Sequence, residues 1–291
     1  MNIYTIHNSA ASGGSICSQV VAASTNSVLV SEIAPLGWQL HPQAHKRQRL
    51  HGGFRPGNPL AHALLSSGKD LSNRLKLKSF AAQLLVSIEH ANDQNMNILL
   101  REHTHSAWAF GRKNQHIHLL EFLRDDSNWK PQGVALNLAR PVLTVRHPLD
   151  NYLSAREKGW HSRYSLDHSF DGYCKSLYSL QANLVQNWNA IVLRYEDLCL
   201  SCLGFVETLS GLLGAEGVVS APSIADINKV SVTGKSGRKT QDISLRPRQA
   251  DLIDEELSEH VSASEWYTKL CDVNGYNSEL DGFPLVSKPS Y

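Results

Sequence analysis

Five short runs of the chain are apolar at nearly every position: Ile3–Ile6, Val28–Ile33, Asn97–Arg101, Pro141–Arg146 and Ala190–Arg194. Runs rich in Val, Ile and Leu throughout fit strands covered on both faces, because a strand with one wet face alternates apolar and polar residues. Between the runs, apolar residues recur at helical spacing. Asp70 is placed to cap a helix whose stripe is Leu71, Leu75, Phe80, Leu84 and Ile88. A second stripe is Tyr173, Leu177, Leu180, Leu184 and Trp188, and a third helix spans Cys202 to Leu213 and stops at Gly214. Residues Ile16 to Ala23 also read as a helix, and Pro247 stands where an N1 proline belongs, ahead of Leu252, Ile253 and Leu257. Alternating strands and helices predict an α/β fold with a central parallel sheet and helices on both faces.

Ligands of such sheets bind at the carboxyl ends of the strands. Chemistry is therefore expected in His7–Ser15, Glu32–Trp38, Glu102–Ser106, His147–Ser154 and Tyr195–Leu198. The stretch 33–69 differs from the rest. It carries Lys46, Arg47, Arg49, Arg55 and Lys69, histidines 41, 45, 51 and 62, and no acidic residue. Its length and composition suggest a basic loop or small subdomain over the active edge.

Size and charge narrow the picture. A chain of 291 residues is long enough for one sizeable α/β domain, so residues 1–291 are read as a single domain. Twenty-eight Lys and Arg against 27 Asp and Glu give a net charge of +1, which argues against a nucleic-acid partner and leaves any anion to be bound locally. No apolar run approaches the length of a membrane span, and the first residues lack a signal pattern, so a cytoplasmic protein without a transmembrane segment is expected. Five cysteines form no disulfide framework at this length. Cys199 and Cys202 make a C-x-x-C with no second pair at zinc spacing, and are read as two small buried residues in a helix.

After the first run comes His7-Asn8-Ser9-Ala10-Ala11-Ser12-Gly13-Gly14-Ser15. Small residues and glycines let successive backbone N–H groups converge on an anion at a helix N-terminus, where the dipole also favours negative charge. A Walker A loop needs a lysine, and none occurs from Met1 to Ala44, which counts against a P-loop kinase-like phosphotransferase. After the fourth run, Arg146 opens a strand-to-helix corner fixed by Pro148, and Ser154 follows two helical turns later. A second phosphate fits there.

Together these residues resemble the sulfotransferases that use 3′-phosphoadenosine 5′-phosphosulfate (PAPS). That family carries Arg/Lys-Ser-Gly-[Ser/Thr]-[Ser/Thr] after its first strand, matched by Ala11-Ser12-Gly13-Gly14-Ser15, and Arg-x-Pro-x-Asp-x-x-x-Ser after a central strand, matched from Arg146 to Ser154. Tyr195-Glu196-Asp197-Leu198 and the basic stretch Gly234–Lys239 match two further motifs in the same order, so the resemblance covers the chain from Ile3 to about Leu257. It implies a P-loop-like nucleotide site. Ser12, Gly13, Gly14 and Ser15 would hold the 5′-phosphosulfate, and Arg146, Ser154, Arg238 and Lys239 the side of the 3′-phosphate. A donor with two separated anionic groups needs two anion sites, whereas a nucleoside triphosphate needs one.

The acceptor group must lose its proton as sulfur is transferred. In the family a basic residue, a spacer and a catalytic histidine end the third strand, and Arg101-Glu102-His103 matches that pattern. His103 is the expected base. His105, two residues on, faces the same side of an extended chain, and Glu32 and Glu102 are the carboxylate alternatives. Where the family has Lys or Arg before Ser-Gly, this chain has Ala11, so the cation on the leaving group falls to Arg101 or to Lys46, Arg47 or Arg49. A non-catalytic relative that only binds the nucleotide is the other reading of Ala11. No metal is expected. The acceptor, whether small molecule, sugar, lipid or polypeptide, is left open.

Overall fold

The computed structural model describes residues 1–9, 11–33, 35, 72–102, 119–129, 133–159, 169–213, 221–230, 242–245, 248, 250–280 and 283–285. Five strands, β1 (Ile3–Asn8), β2 (Ser27–Ile33), β3 (Asn97–Glu102), β4 (Val142–Val145) and β5 (Ile191–Arg194), form one sheet in the order β2-β3-β1-β4-β5. Every pairing is parallel, with Ile6 of β1 between Arg101 of β3 and Val142 of β4. Around the sheet lie α1 (Gly14–Ser24), α2 (Asn73–Asp93), α3 (Leu119–Arg124), α4 (Pro148–Glu157), α5 (Phe170–Trp188), α6 (Tyr195–Leu200), α7 (Cys202–Leu213), α8 (Ile224–Lys229), α9 (Glu255–Ala263) and α10 (Glu265–Asn274).

The expected apolar runs are buried on both faces, except that Val28, Leu29 and Val30 of the edge strand β2 are only partly buried. Tyr4, Ile6, Leu99, Val142, Ile191 and Leu193 point to one side, against α1 and α7. Their neighbours Ile3, Ile98 and Leu100 point to the other, against Phe80 and Leu84 of α2 and Leu119 and Phe122 of α3. Leu143 and Val192 meet Leu180 and Leu184 of α5 on that side. A further cluster joins α4, α5, α9 and α10 through Leu153, Phe170, Tyr173, Val261 and Tyr267.

The strand order fixes where a ligand can sit. From β1 the chain leaves for the β2 edge, and from β4 it leaves for β5 on the opposite edge. The connections therefore diverge between β1 and β4, which opens a crevice at their carboxyl ends.

Three local expectations change. The helix after residue 70 is capped by Ser72, whose Oγ accepts from Leu75 N, and not by Asp70. Both residue types cap, and the helix begins at the one that directly precedes it. Its core face is Leu77, Phe80, Leu84 and Ile88, while Leu75 is exposed; Asp70 and Leu71 lie outside the described residues. The helix expected after Pro247 starts at Glu255 with Asp254 as cap, so Leu252 and Ile253 precede it. Pro247 and Gly214 lie outside the described residues. Cys199 and Cys202 are half-buried in two different helices, α6 and α7, because Ser201 between them is extended. All five cysteines are unpaired thiols. Among the described residues no helix is long and apolar enough to cross a membrane.

Candidate active site

Beyond Asn8 the backbone folds back over the end of β1. Ser9 O accepts from Ser12 N at 3.4 Å, from Ser12 Oγ at 2.8 Å and from Asn8 Nδ2 at 3.1 Å, which closes the turn. Ala11 and Gly13 take left-handed φ values of 63° and 74°. Gly13 is required for a second reason: a Cβ there would lie 2.3 Å from Cδ2 of Tyr195, and one on Gly14 would lie 2.2 Å from Cγ of Asn8. Gly13 caps α1 without a side-chain hydrogen bond, and the first turn of α1 carries no acidic residue to oppose the positive end of the helix dipole. Such a terminus accepts an anion. Ser12 is fully buried and gives both its hydroxyl proton and its backbone N–H to Ser9 O, so both its donors serve the turn; Ser15 is half-buried on the first turn of α1.

The arginine corner adjoins this cradle. Pro148 begins α4 and holds the chain in helical geometry from its first residue. Arg146, half-buried, donates from Nη1 to Ala11 O at 3.1 Å, and its guanidinium lies 5.4 Å from the centroid of the Tyr195 ring. Asn151, one turn into α4 and 1% exposed, donates to Ser9 Oγ at 2.8 Å. Ser154, also buried, accepts from Lys158 Nζ at 3.2 Å. Cradle and corner thus meet over the β1–β4 crevice. Tyr195 forms a shared wall, packed on Gly13 and beneath Arg146.

Sequence reading missed the support beneath the corner. His147 is fully buried, and its backbone N–H donates to Glu196 Oε1 at 2.9 Å. Glu196 Oε2 accepts from Tyr276 OH at 2.9 Å, and His147 Nε2 donates to Asn277 O at 2.8 Å. Nδ1 lies 3.5 Å from Asp150 Oδ2, and Arg248 Nη2 lies 3.3 Å from each ring nitrogen. Burial holds the His147 imidazole down to about 4, with the Arg248 charge adding to the effect and Asp150 opposing it. Burial also raises the Glu196 carboxyl above its usual range. Asp197 forms a two-pronged pair with Arg194, at 2.8 and 2.9 Å. The Tyr-Glu-Asp run is therefore a strut: one side chain per neighbour, each bracing an element of the site.

At the end of β3, Arg101 is 6% exposed and donates from Nε to Asn8 Oδ1 at 3.2 Å and from Nη1 to Ser31 Oγ at 3.3 Å. It stands behind the cradle, one side chain from Gly14. Glu102 bonds His7 Nδ1 at 2.7 Å through Oε2 and accepts from Leu119 N at 2.8 Å through Oε1. With both oxygens engaged and 5% exposure, Glu102 is a structural clamp and not a free base. His103, His105, Arg238, Lys239, Lys46, Arg47 and Arg49 lie outside the described residues, as does the Glu32 side chain. Among the described residues no group of His, Cys, Asp and Glu could hold a metal ion.

No protein family description matches this sequence, and no curated protein is significantly similar to it. Among solved structures the chain is similar to the sulfotransferase domain from the Synechococcus PCC 7002 olefin synthase, at 15% identity and a TM-score of 0.45, over 95% of each chain.

Proposed function

We propose that this chain is a sulfotransferase that moves a sulfuryl group from PAPS to a hydroxyl or amine of an acceptor. The observation that carries this reading is the junction of two anion-accepting corners in one crevice, with Arg146 of one bonded to Ala11 O of the other. The uncapped start of α1 and the half-buried guanidinium fit a donor with two separated anionic groups. Backbone N–H groups of Gly13 to Ser15 take the 5′-phosphosulfate. Arg146, Ser154, Arg238 and Lys239 take the 3′-phosphate.

The donor supplies the sulfuryl group, and the chain supplies the rest. His103, or His105 in its place, accepts the proton of the attacking acceptor atom as the new bond to sulfur forms and the sulfur–oxygen bond to the phosphate breaks. The α1 N-terminus stabilises the charge that gathers on the departing phosphate oxygen. Arg101, held against Asn8 beneath the cradle, is the residue proposed to supply the cation that Ala11 lacks.

One observation favours a second reading, a nucleotide-binding protein without transferase activity: Ala11 stands where the resembled family places a cation. Calorimetry with adenosine 3′,5′-bisphosphate beside ATP tests the nucleotide class, with tight binding of the first alone expected. Sulfuryl transfer to a broad acceptor panel separates the two readings: turnover supports the transferase, and binding without turnover supports the second.

A further inference from the structure

We propose that the Ser9 hydroxyl is a hydrogen-bond donor to the phosphate held at the Arg146 corner, with its direction set from the core by Tyr173 through Asn151. The inference rests on the two-anion reading above and adds a ligand contact outside the motifs that suggested it.

The argument is one of hydrogen-bond polarity. Tyr173 is buried in the α5 core, and its OH donates to Asn151 Oδ1 at 2.6 Å. That bond uses the amide oxygen of Asn151 and leaves its NH₂ for the other side. From there Nδ2 donates to Ser9 Oγ at 2.8 Å. A hydroxyl has one proton and two lone pairs, so Oγ, already an acceptor from Asn151, must send its own proton elsewhere.

Ser9, Thr144, Arg146 and Asn151 line a small cavity at the carboxyl ends of β1 and β4, with a volume of about 20 Å³. That is room for about one oxygen-sized group. Most nearby side-chain acceptors already receive one donor. Gln181 and Asn274, deeper in the same cavity, bond each other reciprocally at 2.9 and 3.0 Å, and Asn151 Oδ1 is held by Tyr173. Ser9 O already receives three donors. An oxygen of the phosphate paired with Arg146 supplies the acceptor that this proton needs. Tyr173 and Asn151 are then positioning residues, and Ser9 touches the ligand.

The test is calorimetry on the full chain with adenosine 3′,5′-bisphosphate and adenosine 5′-phosphate. Ser9→Ala is expected to weaken the bisphosphate roughly 10-fold and leave the monophosphate within about two-fold, as for one hydrogen bond to a charged group. Tyr173→Phe is expected to cost the bisphosphate roughly three-fold, with no further loss when added to Ser9→Ala, since it acts only through Ser9. The assignment is overturned if Ser9→Ala keeps bisphosphate affinity, if it weakens both nucleotides equally, or if the Tyr173→Phe loss adds in full to that of Ser9→Ala. Should Ser9→Ala fail to fold, by thermal melting, Tyr173→Phe decides alone: unchanged preference for the bisphosphate overturns the proposal. An unaltered chain that binds neither nucleotide overturns the two-anion reading itself, a result distinct from binding that ignores Ser9.

Discussion

Arg146 Nη1 lies 3.1 Å from Ala11 O, so the side chain that opens the strand-to-helix corner after β4 is bonded to the backbone of the turn after β1. The two halves of the crevice are mechanically joined. Arg146→Ala is expected to weaken adenosine 3′,5′-bisphosphate by roughly 2–4 kcal/mol and to change adenosine 5′-phosphate far less, as for a charged phosphate donor. Equal losses for the two nucleotides in calorimetry would instead make Arg146 a brace of the Ala11 turn.

Gly13 and Gly159 separate backbone strain from crowding. Both have left-handed φ, 74° and 61°, but only Gly13 faces a side chain where a Cβ would go. Gly159→Ala is expected to cost about 1–2 kcal/mol of stability from conformation alone. Gly13→Ala adds displacement of the Tyr195 ring, about 1–3 kcal/mol more. Urea unfolding of the pair checks this, and equal costs would show that Tyr195 yields freely.

His147 sets part of the acid response. Its imidazole titrates near 6.5 when unfolded and at about 4 when folded. Between those values the unfolded chain binds more protons, so stability is full above about pH 6.5 and falls as pH drops toward 4, by about 3 kcal/mol in all. Glu196 works the other way: its raised folded value favours the native state at low pH and loses that contribution as pH rises through it. Urea unfolding of the unaltered chain and His147→Gln at several pH values between 7 and 4 is expected to show the smaller decline in the variant. Parallel declines would remove His147 from the response.

The proton acceptor is tested by turnover. His103→Ala is expected to lower it about 100-fold or more with nucleotide affinity within a few-fold, because a general base acts in the transition state. If His105→Ala shows that pattern and His103→Ala does not, the base is the second histidine.

Arg101 is bonded to Asn8 and Ser31. Arg101→Gln is expected to reduce turnover far more than Arg47→Gln or Arg49→Gln, by roughly 100-fold for loss of a cation near the leaving oxygen. Similar small effects in all three would turn attention to Lys235 and Lys239. In a parent that transfers nothing, Ala11→Lys becomes the informative change, with restored transfer identifying the missing cation.

The strands were legible because burial on both faces leaves a run apolar whatever its partner, as in Ile98 to Leu100. The turn after β1 was legible from its small residues and glycines, but the crowding of Gly13 by Tyr195 and of Gly14 by Asn8 was not, because Tyr195 comes from a distant part of the chain. The cap of α2 was misplaced because Asp70 and Ser72 are both able to cap, and only the backbone decides between them. The bracing of His147 was invisible for a different reason. Its partners, Glu196 and Asn277, lie 49 and 130 residues away, and no local pattern marks a contact made by docking. Glu102 looked like a spare carboxylate until His7 and Leu119 were seen to occupy it.

Those distant braces make the corner depend on a segment that the sheet does not need. All five strands have been synthesised once Arg194 is in place, yet the floor of the arginine corner comes from Asn274, Tyr276 and Asn277, which bond Arg194, Glu196 and His147. The sheet's own pairings need none of these residues, whereas the corner after β4 does. A backbone cut near residue 275 would thus take these braces from the arginine corner while leaving every strand pairing of the sheet in place.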